Sequence, residues 1–304
     1  MVLFPEARRA LELAAAEPPV WEDGYDVVAA RAAATAAGLA ERREEVAEVV
    51  DLDADGVPCR LYRPAVASDV TPADGLVLHL HGGGFVFHDL EVHDASARRL
   101  ANRSGLAVLS VDYRKPPEHR FPAAPDDVDT VLAWLERGPT RREGGPLVAG
   151  PLYAHGDSAG ANLALVAALR NPGRFRAVAL IYPFLDPGAG FESYRTAADG
   201  FVPREAEWYW QQYAASPADL ADPDLAPLLS DRLGTLPPTL VVTAEHDPLR
   251  DEGEHLAVLL AEAGVEVVST RYQGQVHGFW RHVEVFPAAE ALVRQVAGFL
   301  RMHR

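Results

Sequence analysis

The sequence has little cysteine, no excess of basic residues and no long apolar run. Among its 304 residues Cys59 is the only cysteine, so no disulfide can form within the chain, which fits a reducing compartment. The formal net charge of -16 disfavours nucleic acids, anionic membrane surfaces and strongly anionic substrates, because phosphate binding relies on clustered Lys and Arg. No stretch approaches the roughly 20 apolar residues that a membrane-spanning helix needs.

The amino terminus lacks the features of a signal peptide. Glu6, Arg8, Arg9 and Glu12 interrupt any apolar segment there, so we expect a cytoplasmic protein with no membrane insertion. Hydrophobic residues make up 48% of the chain and charged residues 24%, as in ordinary globular proteins. We expect one domain over residues 1–304.

The first part of the chain is predicted to be helical and then to turn into a hairpin. Residues 1–44 favour helices whose apolar faces are mostly alanine, so this segment should pack loosely, with Trp21 and Tyr25 as anchors. Strands are predicted at 46–52 and 57–62 with residues 53–56 as the turn, and Cys59 should be a small buried thiol in the second strand.

From there, short apolar runs alternate with helical segments. We predict strands and helices as follows: strands at 76–80, 107–111, 152–154, 177–182, 239–243 and 265–272, and helices at 124–136, 161–169, 252–263 and 287–301. Such alternation predicts a mostly parallel sheet with helices on both faces. Residues 187–220 interrupt the pattern with an aromatic cluster and are predicted to be an insertion.

A G-x-S-x-G pentapeptide lies between the strand that begins at Leu152 and the following helix. Gly156 and Gly160 lack a Cβ and allow strand and helix backbones to approach closely, which leaves Ser158 strained and exposed at the helix amino terminus. The pattern predicts that Ser158 is a nucleophile.

A nucleophilic serine needs a base, and the base needs an acid that orients it. Asp247 follows one predicted strand and His277 follows the next, where functional groups gather in open α/β sheets. The order Ser158, Asp247, His277 is that of the α/β-hydrolase triad. Glu245 and His246 share the loop with Asp247, so a different assignment within that loop stays open.

A glycine run, His81-Gly82-Gly83-Gly84, follows the strand at 76–80. Glycine backbones can direct their N–H groups at a developing negative charge without side chains blocking the substrate. We predict that Gly83 and Gly84 donate to an oxyanion beside the Ala159 N–H, and that His81 braces the loop.

These motifs resemble one known family. In chain order they are HGGGF, then DYR with PEHRFPAA, then GDSAG, DPLRDEG and VHGF. The combination, from about residue 57 to 279, is similar to the hormone-sensitive-lipase-like (bacterial family IV) carboxylesterases. The resemblance implies an eight-stranded α/β-hydrolase sheet, the Ser158–Asp247–His277 triad, the oxyanion hole described above, and a cap built from about 1–44 and about 187–220.

Four residues at three sites in the chain depart from the family pattern. They are His88 where a small residue is usual, Lys115-Pro116 where Leu-Ala is usual, and Ala161 where glycine is usual. His88 and Lys115 bear on the pocket wall or rim, so the substrate range carries over less safely than the triad. Lys115, the chain's only lysine, is expected to be solvated.

The sequence therefore predicts a serine carboxylesterase that hydrolyses short- to medium-chain esters through an acyl-enzyme on Ser158. Its partner is a small-molecule ester, it needs no cofactor and no metal, and a homodimer is an assembly that the sequence allows. The alternatives are a hydrolase-like receptor without turnover, and an acyltransferase or amidase on the same triad. A metallohydrolase, suggested by His79 and His81 with His88 and His93 nearby, is disfavoured because no H-x-H-x-D-H pattern follows.

Overall fold

The computed structural model describes residues 2–65, 74–139, 147 and 150–304. Within them the chain forms one eight-stranded sheet. Its strands are β1 Glu48–Ala54, β2 Val57–Arg63, β3 Leu76–Leu80, β4 Ala107–Val111, β5 Leu152–Asp157, β6 Val178–Ile181, β7 Thr239–His246 and β8 Val267–Val276. Across the sheet the order is β1-β2-β4-β3-β5-β6-β7-β8, and β2 is antiparallel to β1 and β4 while the remaining pairs are parallel. The predicted mostly parallel sheet of eight strands is confirmed.

Helices cover both faces of this sheet. They are α1 Pro5–Ala14, α2 Val27–Ala40, α3 Leu90–Ser104, α4 Ala123–Glu136, α5 Ala159–Arg170, α6 Ser193–Thr196, α7 Pro203–Tyr213, α8 Arg250–Glu262 and α9 Pro287–Met302. Side chains of β3 alternate between two buried clusters. Leu78 packs in the cluster that holds α4, α5 and α8, and Val77 packs in the cluster that holds α3 and α9. In the described ranges no helix is long and apolar enough to cross a membrane.

The β1–β2 hairpin has a tighter turn than the sequence predicted. Ala54 pairs with Val57, so only Asp55 and Gly56 lie in the turn, both with positive φ (56° and 94°). Cys59 lies in β2 with 1% of its surface exposed, and burial raises the pKa of its thiol to about 12. A buried, protonated thiol is the small core side chain that the sequence predicted.

Helix α3 was not predicted from the sequence. Its apolar period is hidden because polar side chains such as His93, Asp94 and Arg99 are also buried in this helix. The capping signals were nevertheless present. Asp89 Oδ1 accepts hydrogen bonds, each 2.9 Å long, from the backbone N–H groups of Glu91 and Val92 in the first turn. Gly105 ends the helix with a φ of 68°.

The expectation that the amino-terminal helices pack loosely is wrong for α2. A Cβ on Gly38 would lie 2.7 Å from the Cα of Val92, so α2 touches α3 backbone to backbone. Arg31 on α2 donates a 2.8 Å hydrogen bond to the carbonyl of Val86 and pairs with Glu118 at 2.9 Å. The close contact at Gly38 and the polar contacts of Arg31 therefore compensate for the small apolar area that an alanine-rich helix buries.

The interruption predicted at 187–220 contains α6, α7 and a 3₁₀ turn at Pro217–Ala221. Its aromatic residues pack against the loop that follows β3: the ring of Tyr213 stacks on Phe85 with centroids 3.8 Å apart. Lys115 is not solvated as expected. Its ammonium group pairs with Asp112 and donates to the carbonyl of Tyr113, and only 15% of its side chain is exposed.

Candidate active site

The three predicted triad residues each follow directly after a parallel strand. Ser158 is the first residue after β5, Asp247 the first after β7 and His277 the first after β8. These strands run three or four residues further than the sequence predicted, to Asp157, His246 and Val276. Because parallel strands end at the same edge of the sheet, the three side chains come together there.

Ser158 sits in a strained turn between β5 and α5. Its φ is 55° and its ψ -122°, a backbone conformation that residues other than glycine rarely adopt. A Cβ on Gly156 would lie 2.2 Å from the carbonyl oxygen of Gly160, and one on Gly160 would lie 2.0 Å from that of Leu80. The two glycines are therefore required by close backbone approach rather than by their own φ values.

A continuous chain of hydrogen bonds joins the three side chains. Ser158 Oγ lies 2.9 Å from His277 Nε2, and His277 Nδ1 lies 2.8 Å from Asp247 Oδ2. Asp247 is fully buried, and its other oxygen accepts a 2.9 Å bond from the N–H of Leu249. The neighbouring candidates are the last two residues of β7 and are engaged elsewhere, since Glu245 accepts a hydrogen bond from Gly274 N–H and His246 pairs with Asp199.

Opposing effects set the proton affinity of His277. Burial alone lowers the pKa of its imidazole, but attraction to the Asp247 carboxylate and the hydrogen bond between them outweigh burial. Asp157 and Glu205 add to this attraction, so the pKa lies above its ordinary value. The imidazole packs between two aromatic rings, Tyr182 at 4.5 Å and Phe201 at 4.9 Å between centroids.

The glycine loop after β3 faces Ser158. Gly83 and Gly84 have φ values of 117° and 58°, which only glycine adopts at little cost. A Cβ on Gly84 would lie 2.2 Å from the ring of Tyr209. In the described part of the chain, the N–H groups of Gly83, Gly84 and Ala159 donate to no other protein group, which leaves them free to bind an anion.

Side chains behind this loop hold it in place. Asp157 Oδ1 accepts a 3.0 Å hydrogen bond from Gly82 N–H, which ties the loop to the residue before Ser158. His81 stacks on Tyr113 with centroids 4.3 Å apart, and the Tyr113 hydroxyl donates to the carbonyl of His81 at 2.7 Å. His81, the first residue of the loop, is thereby held against Tyr113, and its bracing role stays a prediction.

Comparison with known proteins identifies the family of the chain. Residues 77–281 match the model of a family described as having the alpha/beta hydrolase fold. The chain belongs to the α/β-hydrolase family. It is 34% identical over 276 residues to an ethyl acetate hydrolase of Pseudomonas putida, covering 88% of this chain and 86% of that protein.

Two solved esterase structures place this α/β-hydrolase more closely. A hyperthermophilic esterase from the archaeon Pyrobaculum calidifontis superposes with a TM-score of 0.86 at 34% identity, covering 99% of each chain. An esterase from the bacterial hormone-sensitive lipase family superposes with a TM-score of 0.84 at 25% identity, covering 100% of this chain and 99% of that chain. The family recognised from the sequence motifs is confirmed.

A cavity of about 1090 Å³ opens above the Ser158 hydroxyl of this α/β-hydrolase. Its wall combines the glycine loop and His277 with side chains from both segments that the sequence set apart. From the first segment they include Leu11, Tyr25 and Ala34, and from the second Phe201, Glu205 and Tyr209.

Three residues near the site were given no role of their own from the sequence. Tyr209 covers Gly84, and its hydroxyl donates a 3.1 Å hydrogen bond to Glu205, whose pKa is raised by burial. Asp157 lies within the GDSAG motif and anchors the glycine loop. Only Asp157 carried a usable signal, since it directly precedes the serine in the GDSAG motif, whereas α7 is separated from the strands in sequence.

Proposed function

We propose that the protein is a serine carboxylesterase in which Ser158 is the nucleophile, His277 the general base and Asp247 the orienting acid. The observation that carries this proposal is the unbroken series of hydrogen bonds, 2.9 Å from Ser158 to His277 and 2.8 Å from His277 to Asp247. Membership of a family whose compared members are ester hydrolases supports the reaction class.

The reaction follows from the positions of these atoms. Ser158 Oγ attacks the ester carbonyl while its proton passes to His277 Nε2, and Asp247 stabilises the imidazolium and fixes the ring's tautomer. The carbonyl's electron pair moves to its oxygen, which accepts hydrogen bonds from the free N–H groups of Gly83, Gly84 and Ala159.

Collapse of this intermediate breaks the bond to the alcohol. The departing oxygen takes the proton from His277, and Ser158 remains acylated. A water molecule then attacks the acyl group with His277 again as base, releasing the acid and restoring the Ser158 hydroxyl. Each of the two steps begins and ends with a neutral imidazole, so the scheme is balanced without a cofactor.

The substrates proposed are short- to medium-chain carboxylic esters, with residues about 1–44 and about 187–220 acting as a cap. Both segments contribute side chains to the cavity wall, and its volume of about 1090 Å³ accommodates an acyl chain of several carbons. Acidic side chains such as Glu17, Asp26 and Glu205 line the same cavity, which disfavours anionic esters.

Replacing Ser158 with alanine tests the nucleophile. Ser158→Ala should fold normally and hydrolyse p-nitrophenyl acetate at least ~10³ times more slowly, because alanine has no oxygen on which an acyl-enzyme can form. Steady-state kinetics measure the loss, and Ser269→Ala, an exposed serine on β8, is the matched control. Full turnover by Ser158→Ala would exclude the assignment.

Covalent labelling separates the esterase from a receptor on the same fold. A serine-reactive fluorophosphonate should attach to the native enzyme at Ser158 and leave Ser158→Ala unlabelled, as mass spectrometry of peptides can determine. A native protein that neither reacts with the fluorophosphonate nor hydrolyses p-nitrophenyl acetate would exclude the esterase and favour the receptor. Parallel assays with amide substrates and with added alcohols would detect amidase or acyltransfer activity.

A further inference from the structure

Behind the glycine loop, three buried side chains with metal-ligating groups face one another. They are His79 on β3, His93 on α3 and Asp157 at the end of β5, with 0%, 1% and 4% of their surfaces exposed. One ligand atom from each lies within 4.8 Å of the other two. None of the three touches the reacting atoms in the mechanism proposed above.

Two nitrogen atoms of this cluster have no hydrogen-bond partner among the described residues. They are His79 Nε2 and His93 Nδ1, and both are inaccessible to solvent. The distance from His93 Nδ1 to Asp157 Oδ1 is 3.7 Å, too long for a hydrogen bond. Buried polar atoms without partners cost free energy, so these two nitrogens need a partner that the described protein atoms do not supply.

The other ring nitrogen of each histidine is held by a second histidine. His79 Nδ1 lies 2.9 Å from His155 Nδ1, and His93 Nε2 lies 3.3 Å from His88 Nδ1. When His79 and His93 donate in these two bonds, their other ring nitrogens carry lone pairs that can bind a metal. Histidines that ligate a metal are oriented in this way, by a hydrogen bond from the ring nitrogen that does not bind.

Both imidazoles are buried, and the neutral imidazole is the form that binds metals. The indole ring of Trp280 closes one side, with its centroid 6.0 Å from His79 and 6.4 Å from His93.

We propose that His79, His93 and Asp157 bind one divalent transition-metal cation of the Zn²⁺ type. Two imidazole nitrogens with one carboxylate oxygen suit such ions better than Mg²⁺ or Ca²⁺, which prefer all-oxygen sites. Ligand bonds about 2.1 Å long require the three atoms to approach more closely than their present 4.8 Å spread, so the side chains must rotate inward on binding.

The ion would have a structural role. Asp157 also accepts the hydrogen bond from Gly82, so a cation on its carboxylate would fasten the glycine loop to the turn that carries Ser158. No bond of the ester is made or broken through it, and the site is independent of whether Ser158 is the nucleophile. The expectation of a reaction without metal is therefore unaffected.

Metal analysis of the full chain tests the proposal. Protein unfolded, refolded with Zn²⁺ and desalted should retain about one Zn²⁺ per chain by plasma mass spectrometry. His79→Leu and His93→Leu should retain less than a tenth of that amount. His119→Leu removes an exposed histidine that is not part of the cluster. It is the matched control and should bind Zn²⁺ as the native chain does.

Two measurements keep the test decisive if the leucine variants fold poorly. Native protein refolded with Co²⁺ should show ligand-field absorption bands, and Zn²⁺ should raise the Tm of the native chain and of Ser158→Ala alike. The proposal is overturned if the refolded native chain holds no Zn²⁺ or Co²⁺, which would leave water as the partner of these nitrogens. Retention of Zn²⁺ by folded His79→Leu and His93→Leu would overturn it equally.

Discussion

Glu205 on α7 acts on His277 through charge alone. Its carboxylate lies in the cavity wall and is one of the groups that raise the pKa of the His277 imidazole, together with Asp247 and Asp157. Because only the neutral imidazole can accept the Ser158 proton, activity should fall as pH decreases through this raised pKa, above the ordinary ~6.5. Glu205, in the segment at about 187–220, thus helps to set the pH below which His277 is protonated and activity is lost.

Removing the Glu205 charge should extend activity to lower pH. In Glu205→Gln the imidazolium loses one favourable charge, so the pKa of His277 decreases and the acidic limb of kcat/KM moves towards acid. The pH profile for a neutral ester measures the shift. Glu207→Gln, two residues along α7 and exposed, should leave the limb where it is. A limb that stays fixed or moves to higher pH in Glu205→Gln would contradict this account.

At the scale of elements, the turn between β5 and α5 depends on contact between backbones. Gly160→Ala would place a methyl group 2.0 Å from the carbonyl oxygen of Leu80 and 2.5 Å from that of His81. Neither oxygen can move without disturbing the carboxyl end of β3, a central strand of the sheet. We expect a loss in the free energy of unfolding on the order of 3 kcal/mol or more.

The matched control is Gly298→Ala in α9. There an added Cβ meets nothing within 4 Å and the helix continues on both sides, so alanine should stabilise the protein by about 0.5–1 kcal/mol. Denaturant unfolding of the two variants measures both effects. Equal stability of Gly160→Ala and the native chain would mean that the turn can open without cost.

How far the elements were predictable depended on where their polar residues lie. The strands of the sheet were foreseen because runs such as Leu76–Leu80 are apolar except for one residue, His79. Helix α3 was not, because it buries His93 and Asp94 among its alanines and so lacks an apolar stripe. The carboxyl ends of β5, β7 and β8 were cut short for the same reason, since polar residues such as His155 and Asp157 continue the strand.

The site was predictable to a different degree from the cluster behind it. Ser158, Asp247 and His277 each follow a strand, and their order in the chain was informative. The pairing of His79 with His155 comes instead from the register of β3 against β5, and sequence spacing does not encode that register. His93 reaches the same place from α3, the helix that was missed.

At the scale of the whole molecule, the size of the cavity depends on how α2 lies over the sheet. Its alanine face includes Ala34, which lines the cavity, whereas Ala36 on the same helix is exposed and lies outside the lining. Arg31 and Gly38 fix α2 against Val86 and Val92, so a larger side chain at Ala34 must project into the cavity rather than displace the helix.

Ala34→Phe should therefore shorten the acyl chains that the enzyme accepts. A phenyl ring in the wall should lower kcat/KM about tenfold for the longer p-nitrophenyl esters of a graded series, because overlap of even a few methylene groups costs on the order of 1–3 kcal/mol. The acetate ester should be hydrolysed at nearly the native rate. Ala36→Phe makes the same substitution on the outside of the helix and should keep the native profile. If both variants gave the same chain-length profile, α2 would not form part of the acyl pocket, and the proposal that residues 1–44 belong to a cap would lose its support.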